Sequence, residues 1–311
     1  MMRVGLLITH VRPEEKLLLA EFAACGIAPD VILDRDLAFD LTAGPEQLSP
    51  SGLPWAAYDV ILERCVSTSR GTYALAILNA WGVRTINTYQ TATTCGDKLL
   101  TTLALARAGI AQPRAMAAFT EESSVQVIEQ MGYPAVLKPV TGSWGRLLAR
   151  VNDRDAAESV LEHRFTLGDW TQHTVYAQEF VEKTGGRDIR AFVIGDRTIC
   201  AIYRTSPHWI TNTAKGGVAS NCPVTPELND LCVRAAQAVG GGVLALDVFE
   251  SERGLSVNEV NHTMEFRNSS APTGINIAGA VVSYVMSVGA NPLTPQPPLH
   301  IGEGARLQAV R

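Results

Sequence analysis

The chain has 311 residues, 46% of them hydrophobic, a net charge of −5 and a pI near 5.7. That length and apolar content support a large core divided into two or three subdomains. The acidic balance argues against a general nucleic-acid or membrane-surface binder, and no apolar run approaches the roughly 20 residues needed to cross a bilayer.

In chain order, "MRVGLLI" predicts a buried strand, so the opening is expected to be structural rather than a secretory leader. "PEEKLLLAEFAACG" predicts an amphipathic helix with Pro13 near its start and Gly26 as its stop. "DVILERC" and "VRTIN" are further strands, with the helix "RGTYALAILNAWG" between them. Strand–helix alternation of this kind predicts a small parallel sheet. A helix is then expected from about Gly96 to Gly109 in "GDKLLTTLALARAG".

From about residue 110 the texture changes to short strands separated by Gly or charged turns: "RAMAAF", "AVLKPV", "LLARV", "VYAQEFVE", "IRAFVIGD" and "RTICAIYR". Only two helices are expected among them, near 121–131 and 153–164, which predicts an α+β arrangement of antiparallel hairpins. A helix from Pro226 to about Val239 precedes the strand pair "VLALDVFES" and "GLSVNEVN". "TGINIAGAVVSYVMSVG" is the last helix, and the tail after it is rich in Pro and Gly. Cys25, Cys65, Cys95, Cys200, Cys222 and Cys232 are scattered with no C-x-x-C pair, which reads as free thiols in a reducing cytoplasm.

Several polar residues stand where apolar ones are expected. Asp247 lies inside the apolar strand "LALDVFES", where a carboxylate is costly unless neutralised. Glu259 and Asn261, two apart on the next strand, share a face. Antiparallel pairing brings the three together as an oxygen-only set suited to Mg²⁺ rather than zinc. Taken alone, the trio fits capped or salt-bridged surface carboxylates equally well. Lys138 ends the buried strand "PAVLKP", where an ammonium needs an anion, and the Gly-rich turn "TGSWGR" follows. That turn is no Walker A loop, and such turns are mostly hairpins. Lys98 opens a helix, against the dipole, and so calls for a role of its own. "QEFVEKTGGRDIRAFVIGD" is a strand exit able to offer backbone groups to an adenine edge and Glu182 to a ribose, and Arg204 and Asn212 follow it.

This order of features, with the blocks "LERCVS", "KPVTGSWGRLLA", "HWITNTAKGG" and "EVNHTMEFRNS", resembles the ATP-grasp superfamily. Within it the chain is similar to the branch of the ribosomal-protein glutamate ligases, and there to ligases that load an amino-group carrier protein in lysine biosynthesis. The resemblance runs from the N-terminus to about residue 289. It implies an ATP-grasp fold of mixed α/β and α+β class, with a small parallel-sheet N-terminal subdomain at 1–90. A central subdomain at 91–170 and a C-terminal one at 171–289 would hold ATP between them, leaving 290–311 as a mobile tail.

The resemblance also assigns roles. Lys98 and Lys138 would contact ATP phosphates, covered by the loop of Gly142, Ser143, Gly145 and Arg146. Glu179, Phe180, Val181 and Glu182 would meet the adenosine, with Asp188 and Asn212 completing the nucleotide site. Asp247, Glu259 and Asn261 would hold Mg²⁺, with two ions expected. Lys138, Arg204 and Glu259 would be catalytic. Arg204, Thr213, His262, Glu265, Phe266, Arg267, Asn268 and Ser269 would form the amino-acid pocket. In such ligases an Asn followed by Ser or Thr marks the aminoadipate form and Gly-Phe the glutamate form, so Asn268-Ser269 points to L-2-aminoadipate.

The implied reaction has two steps, γ-phosphoryl transfer to a carrier's C-terminal Glu and then attack by the amino acid's α-amine. His262 and Glu265 are the candidate bases. The implied partner is a small acidic carrier protein ending in Glu, and Arg64, Ser67, Arg70, Lys215 and Arg267 are expected near the mouth where it docks. A cytoplasmic homo-oligomer is expected. Two other readings stay open at this point: a glutamate ligase acting on the same carrier or on a ribosomal-protein-like acceptor, and an ATP-binding regulatory module without ligation. The intact Asp247, Glu259 and Asn261 trio argues against the latter.

Overall fold

The computed structural model describes residues 2–142, 146–211 and 216–291. The described chain divides into two compact units, one of residues 2–10, 22–89 and 285–291 and one of residues 11–21 and 90–284. Among the described residues no helix is long and apolar enough to cross a membrane. The six cysteines are free, five of them buried and Cys25 exposed.

The first unit is built on β1 (Val4–Ile8), β2 (Asp30–Leu33), β3 (Val60–Arg64) and β4 (Thr85–Ile86), with α2 (Thr68–Ala80) after β3; α1 (Pro13–Ala24) follows β1 and belongs, as far as Glu21, to the second unit. All pairings are parallel, in the order β2-β1-β3-β4. The two central strands are buried along their whole length, as parallel strands covered on both faces must be. The edge strand β2 was not among the expected elements. Only Ile32 of its four residues is buried, so the run carries no alternation to read. Trp55, stacked on Phe39 at 5.5 Å, closes the core beneath the sheet.

The second unit continues with α3 (Tyr89–Gly96) and α4 (Lys98–Arg107). The helix expected from about Gly96 to Gly109 is α4, while α3 before it was not expected; Asp97 separates the two and caps the second. Its Oδ1 accepts from the N–H groups of Leu99 at 2.8 Å and Leu100 at 3.0 Å. Next come β5 (Ala115–Ala118), α5 (Glu121–Met131), β6 (Ala135–Lys138), β7 (Ala149–Val151), α6 (Arg154–Leu167) and β8 (Val175–Glu179). The strands form an antiparallel sheet in the order β5-β8-β6-β7. Apolar residues of α5 and α6, among them Ile128 and Leu161, pack on it.

The third sheet comprises β9 (Arg187–Ile194), β10 (Arg197–Thr205), β11 (Val218–Cys222), then, after α7 (Pro226–Ala238), β12 (Val243–Ser251) and β13 (Gly254–Asn261). It is antiparallel, in the order β11-β10-β9-β12-β13. Gly254, at φ +91°, makes the β12–β13 turn in a conformation other residues resist. The short α8 (Ser270–Thr273) and α9 (Ile277–Ala290) follow. Strand β11 was not foreseen, since "VASNC" is mostly exposed and polar.

Two sheet memberships cut across the expected boundaries. Strand β8 lies beyond residue 170 yet pairs with β5 and β6 in the middle sheet. Conversely Cys95 and Leu105, from α3 and α4, enter the core of the third sheet beside Leu231 and Cys232 of α7. The expected tail from 292 onward lies outside the described residues.

Candidate active site

The site is built on a row of charged side chains crossing the third sheet. Register places Arg204 of β10 opposite Asp188 of β9, and Arg190 of β9 opposite Asp247 of β12. Asp247 in turn faces Glu259 of β13. Cross-strand neighbours on one face are close enough to pair, and here they do. Arg204 donates from Nε and Nη2 to both oxygens of Asp188, at 2.7 Å each, and its Nη2 lies 3.1 Å from Asp247 Oδ2. Arg190 grips Asp247 from Nε at 2.8 Å and Nη2 at 3.1 Å.

Arg204, only 3% exposed, pays for burial with two carboxylates. Burial alone would lower its pKa, but Asp247 and Asp188 outweigh that and hold it charged. The same logic, with Arg190 and Arg204 overcoming burial, holds Asp247 well below the usual carboxylate range.

One irregularity in β13 sharpens the site. Asp247 is opposite Glu259, yet Val248 is opposite Val257, so Asn258 is an extra residue in a bulge. Val257 and Val260, three apart, are both buried, while the consecutive Asn258 and Glu259 both line the cleft. Alternation alone predicted Glu259 and Asn261 on one face; the bulge adds Asn258 to the cleft, while Asn261, opposite Ala245, is in the lining of neither this cleft nor the second cavity described below.

Facing this row, the middle sheet contributes Lys138 from the end of β6. Its ammonium donates to Asn258 Oδ1 at 2.8 Å, and burial pulls it down to about 8 against the support of Glu259. Lys98, the first residue of α4, donates to the Gly142 carbonyl at 2.7 Å and lies 3.4 Å from Glu259 Oε1. The anion that a lysine at a helix start calls for is therefore Glu259 and the loop carbonyl.

The sheets enclose a cleft of about 640 Å³, walled by Val136, Lys138 and Gln178 on one side and Arg204, Asp247 and Glu259 on the other. A second cavity, of about 480 Å³, is lined by Arg190, Arg204, Glu265, Arg267, Asn268 and Ser269, with Ile202 at its apolar side. Arg204 lines both, and its buried Nη1 has no hydrogen-bond partner among the described residues.

Other predicted residues fall less simply. Glu179, Phe180 and Val181 line the cleft, but the Glu179 carboxylate accepts from the Arg114 N–H and from Arg253 Nη2, both at 2.9 Å. Both its carboxylate and its backbone N–H, which donates to the Arg114 carbonyl at 2.9 Å, are thus engaged within the protein. Glu182 lines an adjoining cavity with His208 and Trp209 rather than the cleft itself. Phe266, expected against substrate, is 1% exposed and outside the cavity lining, so it anchors its loop from within the core. His262 is half-buried and lines neither cavity. Arg146 is exposed in the turn after the Gly-rich loop. Arg64, expected at a docking mouth, is 3% exposed at the end of β3, and Arg70 lies 3.3 Å from Asp34. Ser143, Gly145, Asn212, Thr213 and Lys215 lie outside the described residues.

Sequence reasoning missed Asn258, Arg190 and Lys183. Arg190 was findable, since it shares a strand face with Asp188 two residues earlier. Lys183 carries no such signal. Its ammonium holds the Trp209 carbonyl at 2.7 Å and Thr211 Oγ1 at 3.2 Å, fixing one wall of the cleft.

Three sheets, with a lysine-flanked cleft between the second and third, define an ATP-grasp protein. The comparisons agree. A RimK-like ATP-grasp domain matches residues 95–285, and a LysX preATP-grasp domain matches residues 4–94. The glutamate–LysW ligase ArgX of Sulfurisphaera tokodaii is 34% identical over 91% of this chain and 98% of its own length. The alpha-aminoadipate–LysW ligase LysX of the same organism matches at the same identity over the same shares. Among solved structures, a RimK-domain ATP-grasp protein from Sphaerobacter thermophilus superposes with a TM-score of 0.74. It is 30% identical, over 91% of this chain and 99% of that one. The chain belongs to the RimK-like ATP-grasp family and is an ATP-dependent carboxylate–amine ligase.

Proposed function

We propose that this ligase joins the α-amine of L-2-aminoadipate to the γ-carboxyl of the C-terminal Glu of a small LysW-like carrier protein, as a step of lysine biosynthesis. The observation that carries the reading is the second cavity, where three arginines and Asn268-Ser269 converge beside the cleft. An amino dicarboxylate brings two negative charges, and guanidinium groups grip carboxylates bidentately. The two LysW ligases of S. tokodaii match equally well, so overall identity does not separate aminoadipate from glutamate.

In this reading Lys98 and Lys138 bind the polyphosphate of ATP from the middle subdomain. The adenosine lies along Glu179–Val181, against Phe180. Asp247, Glu259 and Asn261 fit two Mg²⁺ ions. All three are oxygen donors, and cations already stand against both carboxylates: Lys98 at Glu259, and Arg190 and Arg204 at Asp247. Three donors occupy the Asp247 carboxylate, which offers about four lone-pair positions, so one remains. Among the described residues no cage of three or more His, Cys, Asp or Glu exists, and Mg²⁺ ordinarily takes one or two carboxylates with phosphate oxygens and water. Bound there, Mg²⁺ would neutralise charge on the phosphoryl groups.

Arg204 stands where the two cavities meet, positioned to stabilise charge on the transferring phosphoryl group and on the carboxylate beside it. Lys138, buried and held by Asn258, presents its ammonium without solvent. Of the two candidate bases only Glu265 lines the amino-acid cavity, which makes it the one placed to take the amine proton.

Two experiments test this. With ATP, Mg²⁺, aminoadipate and carrier supplied, the nucleotide products should be ADP and phosphate. Stoichiometric AMP would remove the acyl-phosphate route. The double change Asn268→Gly with Ser269→Phe should shift the ratio of kcat/KM from aminoadipate towards glutamate. The acids differ by one methylene, which a pocket distinguishes by roughly 10–200-fold, so the ratio should move by up to that amount. A wild-type preference for glutamate favours the ArgX-like reading, and an unchanged ratio in the variant denies this pair its role.

A further inference from the structure

Helix α1 opens with Pro13, Glu14 and Glu15, and acidic residues in a first turn suit the helix dipole. Such carboxylates ordinarily stand in water, yet here Glu14 is 3% exposed and Glu15 is fully buried. Buried carboxylates are costly unless met by donors, so their partners show what the burial serves. Glu15 is held by Arg12, which donates from Nε at 2.9 Å, from Nη2 at 2.8 Å and from its backbone N–H at 3.0 Å. That pair alone would satisfy the helix start. Arg12 does more: its Nη1 reaches Glu265 Oε1 at 3.6 Å. Glu14 Oε1 accepts from the backbone N–H of Arg267 at 3.4 Å. The two charged residues of the loop lining the second cavity are therefore each tethered to the start of α1, Glu265 to Arg12 just before the helix and Arg267 to Glu14 in its first turn.

We infer that Arg12 and Glu14 are positioning residues for the amino-acid substrate, acting through Glu265 and Arg267. The inference rests on reading the second cavity as the amino-acid subsite. Glu265 and Arg267 are two positions apart and of opposite sign, so an untethered loop would let them pair and cancel. Arg12, its direction fixed by Glu15, draws Glu265 aside and leaves the Arg267 guanidinium for a carboxylate. Glu14 fixes the backbone from which that guanidinium springs. An amino dicarboxylate brings one cation and two anions; the cavity then offers Glu265 and the guanidiniums of Arg190, Arg204 and Arg267. Of these groups Arg204 also lines the nucleotide cleft; Arg12, Glu14, Glu265 and Arg267 do not.

The test is a double-mutant cycle on Arg12→Gln and Glu265→Gln. It reads KM for L-2-aminoadipate, or for glutamate if that is the better substrate, and KM for ATP, with carrier saturating and Tm measured alongside. Each single change should raise the amino-acid KM on the order of ten-fold, as displacement of a substrate-positioning group does, and leave KM for ATP alone. The double variant should be no worse than either single, because the same tether is cut twice. Glu14→Gln, which keeps an acceptor oxygen, should stay near wild type, and Glu14→Leu should reproduce the defect. If Arg12→Gln does not fold, Arg12→Lys carries the cycle in its place, retaining a cation opposite Glu15. Multiplying effects, an equal rise in KM for ATP, or a silent Arg12 variant beside an impaired Glu265→Gln would overturn the inference and leave the cavity reading standing. A wild-type amino-acid KM in Glu265→Gln would instead remove the cavity reading, and the inference with it.

Discussion

Changing Glu259 to alanine is expected to cut turnover by about 10²–10³-fold or more, the range seen when one group stabilising a charged transition state is removed. The fold should survive. Glu259 is about a quarter exposed and its ion pair with Lys98 spans 3.4 Å, so the pair contributes only ~0–1 kcal/mol to stability. What is lost is function: Lys98 loses its carboxylate partner, and one of the two proposed Mg²⁺ ligands on β13 is gone. The measurement is kcat across a Mg²⁺ titration with Tm recorded on the same samples. Near-normal turnover with a normal melting curve would place the metal elsewhere and detach the strand pair from the chemistry.

A change of Arg204 to methionine should act on both stability and catalysis. Removing it strands Asp188 and takes one of two guanidiniums from Asp247, and breaking a buried pair in this way costs about 3–5 kcal/mol. Turnover should fall as well, but a destabilised enzyme is an ambiguous witness. The decisive comparison adds Asp188→Leu, which replaces the buried pair by apolar groups and should restore much of the lost Tm. If activity returns with stability, Arg204 is a structural residue. If Tm recovers while kcat does not, its place between the cavities is the reason it is needed.

How much of this the sequence disclosed follows from how local each signal is. Asp247 and Glu259 stood out because a carboxylate in an apolar strand is costly wherever the strand goes. The hairpin joining them was legible from Gly254 and two flanking apolar runs. Asn258 was not, because a bulge is a relation between two strands: nothing in "SVNEVN" says which residue will go unpaired. The Arg190–Asp247 and Arg204–Asp188 pairs likewise needed the order β10-β9-β12, which periodicity does not supply. Edge strands β2 and β11 escaped because a strand with one covered face and few inward residues has almost no pattern to read. Phe266 was misread for the opposite reason. Glu265, Arg267, Asn268 and Ser269 around it do line the cavity, and only the fold shows that Phe266, like Met264, turns into the core.

The single guanidinium that walls both cavities also carries a thermodynamic obligation. If nucleotide and amino acid bind on its two sides as proposed, a ligand on one side of Arg204 alters the field and the hydrogen-bonding capacity available on the other, and the two binding equilibria are linked. Linkage is reciprocal: the factor by which nucleotide changes the affinity for the amino acid is the factor by which the amino acid changes the affinity for nucleotide.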